Sequence, residues 1–255
     1  MNRLLYLCLC LLMATCTDAL AQSGSDYWQQ QVDYKIDAIL HDTTNTLEGF
    51  ETIHYHNNSG DTLNFLWIHL WMNAFKNDKT AFSEQKLTAG QNDFYFSDNG
   101  KKGYVNRLDF KANGTSLLTE DHPLYIDIVK VFLPSPLAPG ASIDISTPFH
   151  VKIPFRFSRP GYIDQHYSFT QWYPKVALYD KNGWHKMPYL EWGEYYNDFG
   201  NYEVSVTLPA NYVVGATGML QEQSELDWLR QRSTAPKPTV TAVKKKPGSP
   251  ATKAK

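Results

Sequence analysis

Cysteine is nearly missing from this 255-residue chain, and the three present (Cys8, Cys10 and Cys16) all fall within the first 21 residues. If that segment is removed, the mature chain has none, which excludes a disulfide framework and a cysteine metal site and leaves a packed core as the source of stability. Charge of one sign is also lacking. The formal net charge is −2, so no global field points to nucleic acid or to an acidic partner. No apolar run is long enough to span a bilayer, the longest being Leu4 to Ala14, so a permanent membrane anchor is not expected. HExxH, C-x-x-C, G-x-S-x-G and a phosphate-binding glycine loop are all absent, and with them the usual signatures of zinc, redox, serine-hydrolase and nucleotide chemistry.

What is present begins with a targeting signal. Arg3 supplies a positive start, Leu4 to Ala14 an apolar stretch, and Ala19-Leu20-Ala21 the small-x-small pattern of a cleavage site. The expectation is a signal peptide over 1–21 and a secreted or periplasmic chain. A lipoprotein anchored through Cys16 is the rival reading, and the residues before it, Met13-Ala14-Thr15, fit that poorly.

From Gln29 onward, runs of period two recur between polar turns, and helical patterning is scarce. Val32, Tyr34, Ile36, Ala38 and Leu40 alternate with Asp33, Lys35, Asp37 and Ile39, the last an apolar exception. Leu47 to His56 and Thr62 to Trp71 read as the next two strands, and the three together as an antiparallel meander. The third is apolar enough for burial on both faces. A short helix is expected near Thr80 to Leu87, strands over Tyr104 to Phe110, Leu124 to Leu133 and Ser142 to Val151, a connector at Pro134-Ser135-Pro136, and a clean strand over Tyr202 to Leu208. Tyr212 to Ala216 reads as a last short strand. The fold class is therefore all-β: a mostly antiparallel β-sandwich or saddle-like double sheet over 22–220. It is followed by a short helix at 221–232 and a disordered tail at 233–255, which carries six lysines, four prolines and no acidic residue.

The chemistry-bearing candidates are few. His54 and His56 share one strand face and His69 lies on the next strand, too loose a set for zinc without a third convergent ligand. Glu191 and Glu194, with Asp198 nearby, could perform acid/base work, but nothing completes a catalytic constellation. Asn57-Asn58-Ser59 and Asn113-Gly114-Thr115 fit the glycosylation pattern and equally fit turns. The anomaly is in the stretch from Gln165 to Leu220, a connector dense in aromatics that resolves into a strand: Trp172, Tyr173, Trp184, Tyr189, Trp192, Tyr195, Tyr196 and Phe199. These rings could stack on sugars or peptide side chains, could anchor this domain against another, or could close over the sandwich core.

Several strings in the chain resemble the N-terminal domain of M1-family (gluzincin) zinc aminopeptidases of the bacterial secreted type. They are Tyr27-Trp28-Gln29-Gln30-Gln31-Val32-Asp33-Tyr34, Trp67-Ile68-His69-Leu70-Trp71-Met72-Asn73-Ala74-Phe75, Asn77-Asp78-Lys79-Thr80-Ala81-Phe82, Gln171-Trp172-Tyr173-Pro174-Lys175, Gly183-Trp184-His185, Met187-Pro188-Tyr189-Leu190, and Asn211-Tyr212-Val213-Val214-Gly215-Ala216-Thr217-Gly218. The resemblance implies a saddle-shaped β-sandwich leaning on a thermolysin-like catalytic domain, with zinc held there and not here. It also implies that a Gln or Glu ahead of the proline-containing strand end receives the substrate's free amino group, and Gln165 is the candidate. Trp172, Tyr173, Trp184, Tyr189 and Trp192 become candidates for the surface that meets the catalytic domain. The expected partners are that M1-type catalytic domain and a peptide substrate. With no HExxH before Lys255, the chain is expected to be inactive alone, as a truncated product or a free-standing domain. The alternative function is a stand-alone secreted module that binds peptide or glycan.

Overall fold

A computed structural model describes residues 27–234. The expected signal peptide at 1–21, the rival Cys16 anchor and most of the expected tail lie outside the described residues. Two units are distinguished, one ending at Asn211 and one beginning at Tyr212.

The first unit is built on two sheets. β1 (Gln31–His41) and β2 (Thr46–His56) form a long antiparallel hairpin, and β9 (Ser142–Lys152) pairs antiparallel with the far edge of β2. Small strands β4 (Tyr104–Asn106), β5 (Lys111–Ala112) and β6 (Thr115–Ser116) extend this sheet beyond β9. On the opposite edge, β15 (Tyr202–Thr207) joins β1 in parallel. The second sheet has the order β12-β3-β8-β7: β12 (Lys175–Val176), β3 (Leu63–His69), β8 (Ile128–Leu137) and β7 (Thr119–Asp121). The mostly antiparallel, strand-rich sandwich is the expected fold class.

Period-two patterning explains the core. Val32, Tyr34, Ile36, Ala38 and Leu40 from β1 turn inward with Ile53 and Tyr55 from β2 and Ile145, Phe149 and Val151 from β9. They meet Leu66, Ile68, Val129, Val131 and Val176 from the other sheet. The second sheet is covered on its outer side as well: Trp67, Ile128 and Ala177 form a separate buried cluster with Phe65, Tyr125 and Trp184 packed on it. Burial on both faces is why β3 reads as a nearly continuous apolar run.

The expected three-strand meander does not form. β3 leaves its predecessor's sheet and pairs with β8 in the other. The crossing is organised by Asn57, which is fully buried. Its Nδ2 donates to the carbonyls of Asp61 (2.7 Å), Leu137 (3.1 Å) and Ala138 (3.2 Å), and its Oδ1 accepts from the Ser59 hydroxyl (2.6 Å). This side chain satisfies backbone groups that the change of sheet would otherwise strand.

Three other expectations shift. β4 covers only part of 104–110. β8 begins later than expected and runs through Pro134 and Pro136, which are tolerated because the ladder is irregular between Leu63 and Phe65 there. In the second unit, residues 212–216 carry no strand, and helix α2 (Gln223–Thr234) has no buried residue. The first helix, α1 (Ala81–Thr88), forms where expected, because the Thr80 side chain caps it by accepting from the Ser83 N–H (3.2 Å).

Candidate functional site

The connector between β9 and β15 folds as a coat over the sandwich. It contains two hairpins, β10 (Gly161–Ile163) with β11 (His166–Ser168), and β13 (Leu178–Asp180) with β14 (Gly183–His185). Trp172 and Tyr173 pack against the main core, and Tyr173 meets Tyr34 edge-on at 5.4 Å. Trp184 lies against Tyr179 at 4.9 Å and Phe65 at 6.2 Å. Tyr189 is wholly buried in a second aromatic cluster with Trp71, Phe75, Phe82 and Phe94. Of the five interface candidates, Trp192 is the one that is largely solvent-facing, 45% exposed. The other four use much of their surface within the domain.

The clasp that holds this coat comes from the end of β3 and the 3-10 turn Trp71–Phe75. His69 Nε2 accepts from the Met187 N–H (3.3 Å), and Trp71 Nε1 donates to the Met187 carbonyl (3.0 Å), so both backbone groups of one connector residue are held. The two rings stack at 4.3 Å. Burial, helped by the Lys175 ammonium, pulls the His69 imidazole down to about 3, so it is neutral and suited to accept. Asp127 accepts from the Tyr189 N–H (2.7 Å), and burial raises its carboxyl to about 6. Gln85 of α1 accepts from the N–H groups of Glu191 (2.8 Å) and Trp192 (3.1 Å).

His54 and His56 lie on the outer face of β2, beside Asp144 (2.6 Å) and Ser142 (2.7 Å), whereas His69 is in the interior of the other sheet. The three are not brought together, and among the described residues no group of three potential ligands is arranged to hold a metal ion. Glu194 extends into solvent near Arg159 (3.9 Å), while Glu191 is tethered at α1, so the pair does not frame a reaction centre. Gln165 is exposed at the tip of the β10–β11 hairpin. Its neighbour Asp164 has φ +52°, and the Tyr167 hydroxyl fixes the hairpin to Asn45 (2.6 Å).

A cleft of about 450 Å³ opens beside β13–β14, with Tyr27, Trp28, Tyr179, Asp180, Tyr196 and Asp198 on its walls. Burial, reinforced by the neighbouring Asp180 charge, raises the Asp198 carboxyl to about 7. In the sequence Tyr196 is one of many aromatics and Asp198 stands out only as a neighbour of Glu191. Asp180 and Trp28 carry no joint signal there, because they are 152 positions apart and share a cleft only through the fold.

No protein-family model and no curated protein matches this chain. Among solved structures, the chain is similar to the M1 zinc metallopeptidase from Deinococcus radiodurans, at 15% identity and a TM-score of 0.42, over 77% of this chain and 36% of that one. A mutant of that enzyme bound to a Tyr-Ser-Ala substrate gives 15% identity and 0.42 over 76% and 36%. The chain thus spans about a third of the length of these structures.

Proposed function

We propose that this chain is the non-catalytic N-terminal domain of an M1-like zinc metallopeptidase, a domain that caps an active-site cleft carried by a separate catalytic domain and helps to receive a peptide's N-terminus. The observation that carries the reading is the clasp. Two strings that bear the family resemblance, Trp67–Phe75 and Met187–Leu190, lie 116 positions apart at Trp71 and Met187 and meet through His69, Trp71 and Met187. Residues spaced like that along the chain have no local reason to match one family together. In this fold they are one structural unit.

An uncovered sheet face supports the capping role. Tyr202, Val204 and Val206 lie beside Tyr34, Ile36 and Ala38 in register, on the core side of the sheet. Their β1 neighbours are buried, but these three remain about half exposed. Apolar surface continuous with a core is what a second domain would cover. Zinc belongs to the catalytic domain in this reading, and Gln165 presents an amide oxygen that can accept from a substrate ammonium group.

Two measurements test it. The purified chain, assayed with aminoacyl-p-nitroanilides and added zinc, should show no turnover; clear turnover would sink the reading. Amide chemical-shift mapping with a tripeptide should perturb the 164–167 turn when the tripeptide's amine is free and not when it is acetylated. Equal responses would remove Gln165 from its role.

A further inference from the structure

The cleft beside β13–β14 has no part in that reading, and its walls have a definite chemical character. Tyr179 is wedged between Trp28 (ring centroids 5.8 Å) and Trp184 (4.9 Å), and its hydroxyl donates to Asp61 (2.7 Å). One wall is therefore a pre-set aromatic surface. Tyr196 forms another, its ring edge-on to His185 at 5.1 Å and its hydroxyl reaching Asp180 (3.4 Å).

The two carboxylates differ. Asp180 is already provided for: it accepts from the Asn182 N–H (2.7 Å) and lies 2.8 Å from His185 Nε2. Among the described residues Asp198 has neither a hydrogen-bond donor nor an ion-pair partner within reach. The charges that act on it are Asp180, which repels it, and Lys175 and His185, which favour it without contacting it; Lys181 lines the cleft as well. Asp198, half-buried beside a second carboxylate and without a donor, therefore lacks a direct positive partner in the cleft. The aromatic walls supply negative π-faces that attract the same kind of group. Basic groups on apolar stems suit both features, and a planar guanidinium, able to stack and to bridge two carboxylates, suits them best.

We propose that this cleft is a binding site for a basic side chain of a peptide, an arginine guanidinium in preference to a lysine ammonium, held against the Trp28–Tyr179 wall and Tyr196 and paired with Asp198.

The test titrates the full chain with N-acetyl-arginine-amide, N-acetyl-lysine-amide and N-acetyl-citrulline-amide, the last being the uncharged isostere of arginine, while recording amide and indole chemical shifts at pH 8. Saturable binding is expected for arginine, weaker binding for lysine, and at least tenfold weaker binding for citrulline. The shifts should cluster at the Trp28 indole and at residues 178–182 and 196–198. Asp198→Asn should weaken arginine at least tenfold and erase its advantage over citrulline. Lowering the pH from 8 to 6 should weaken binding by wild type, because Asp198 becomes protonated. Absence of saturation, equal binding of citrulline, or shifts centred elsewhere would each overturn the site in the wild-type chain alone, whatever the fate of the variant. An unaltered affinity in a folded Asp198→Asn chain would do the same.

Discussion

Glu51 is the least comfortable residue in this fold and gives the sharpest prediction. It lies on the inward face of β2, between Ile36 of β1 and Thr147 of β9 in register, with no exposed surface. Neither carboxyl oxygen has a hydrogen-bond partner among the described residues. Burial raises its carboxyl well above the ordinary glutamate value. In the unfolded chain it titrates at about 4.3. Across the interval between those two values the native state keeps a proton that the unfolded state has lost. Stability is therefore fullest below the unfolded value and falls as pH rises towards the native one, by about 1.4 kcal/mol per pH unit from this group alone. Asp127 and Asp198, raised to about 6 and about 7, add to the same trend. Comparison with Glu51→Gln cancels their contribution, because both proteins retain them.

Between pH 5 and 6.5 wild type should lose about 2 kcal/mol more than Glu51→Gln, equivalent to ~4–8 °C in Tm for a domain of this size. Glu51→Met, which removes the partnerless polar group at similar volume, should exceed wild type by ~1–3 kcal/mol even at pH 5. Thermal unfolding followed by circular dichroism at half-unit pH steps provides the readout. Wild-type and Gln-variant curves that decline in parallel would refute the argument, since they would mean that Glu51 titrates alike in both states.

The remaining predictions concern packing. Asn57→Ala strips the sheet crossing of several hydrogen bonds at once and should cost ~3 kcal/mol in urea denaturation. Gly49→Ala would put a Cβ 2.2 Å from the Phe149 ring lying over it, so ~1–3 kcal/mol should be lost. Gly200→Ala would bring a Cβ to 1.8 Å from the Val32 carbonyl, and it should release β15 from β1, seen as faster amide exchange at Tyr34 and at 202–207. Tyr189→Ala should cost ~3–5 kcal/mol, whereas Trp192→Ala should stay within ~0.5 kcal/mol, which separates the ring that builds the coat from the one that faces outward.

The outline of this protein is written locally. Alternation of Val32 to Leu40, the break at Asn57 to Asp61, the Thr80 cap and the continuous apolar run of β3 each act over a few residues, so the positions of β1, β2, β3, β9 and β15 and an all-β sandwich follow from sequence alone. Sheet membership does not. β3 could have extended the β1–β2 hairpin, but it pairs with β8 in the other sheet, and Asn57 meets the carbonyls of Leu137 and Ala138, some 80 positions away, where the chain crosses. The connector shows the same division. Its aromatic density is plain in the sequence, but a ring that seals a core and a ring that lines a site have the same composition. Tyr189 is enclosed, Trp192 is open and Tyr196 borders a cleft because of what the rest of the chain places beside them. Asp198 has its raised carboxyl for that reason too: desolvation and the proximity of Asp180 are properties of a three-dimensional neighbourhood, and no spacing along the chain encodes them.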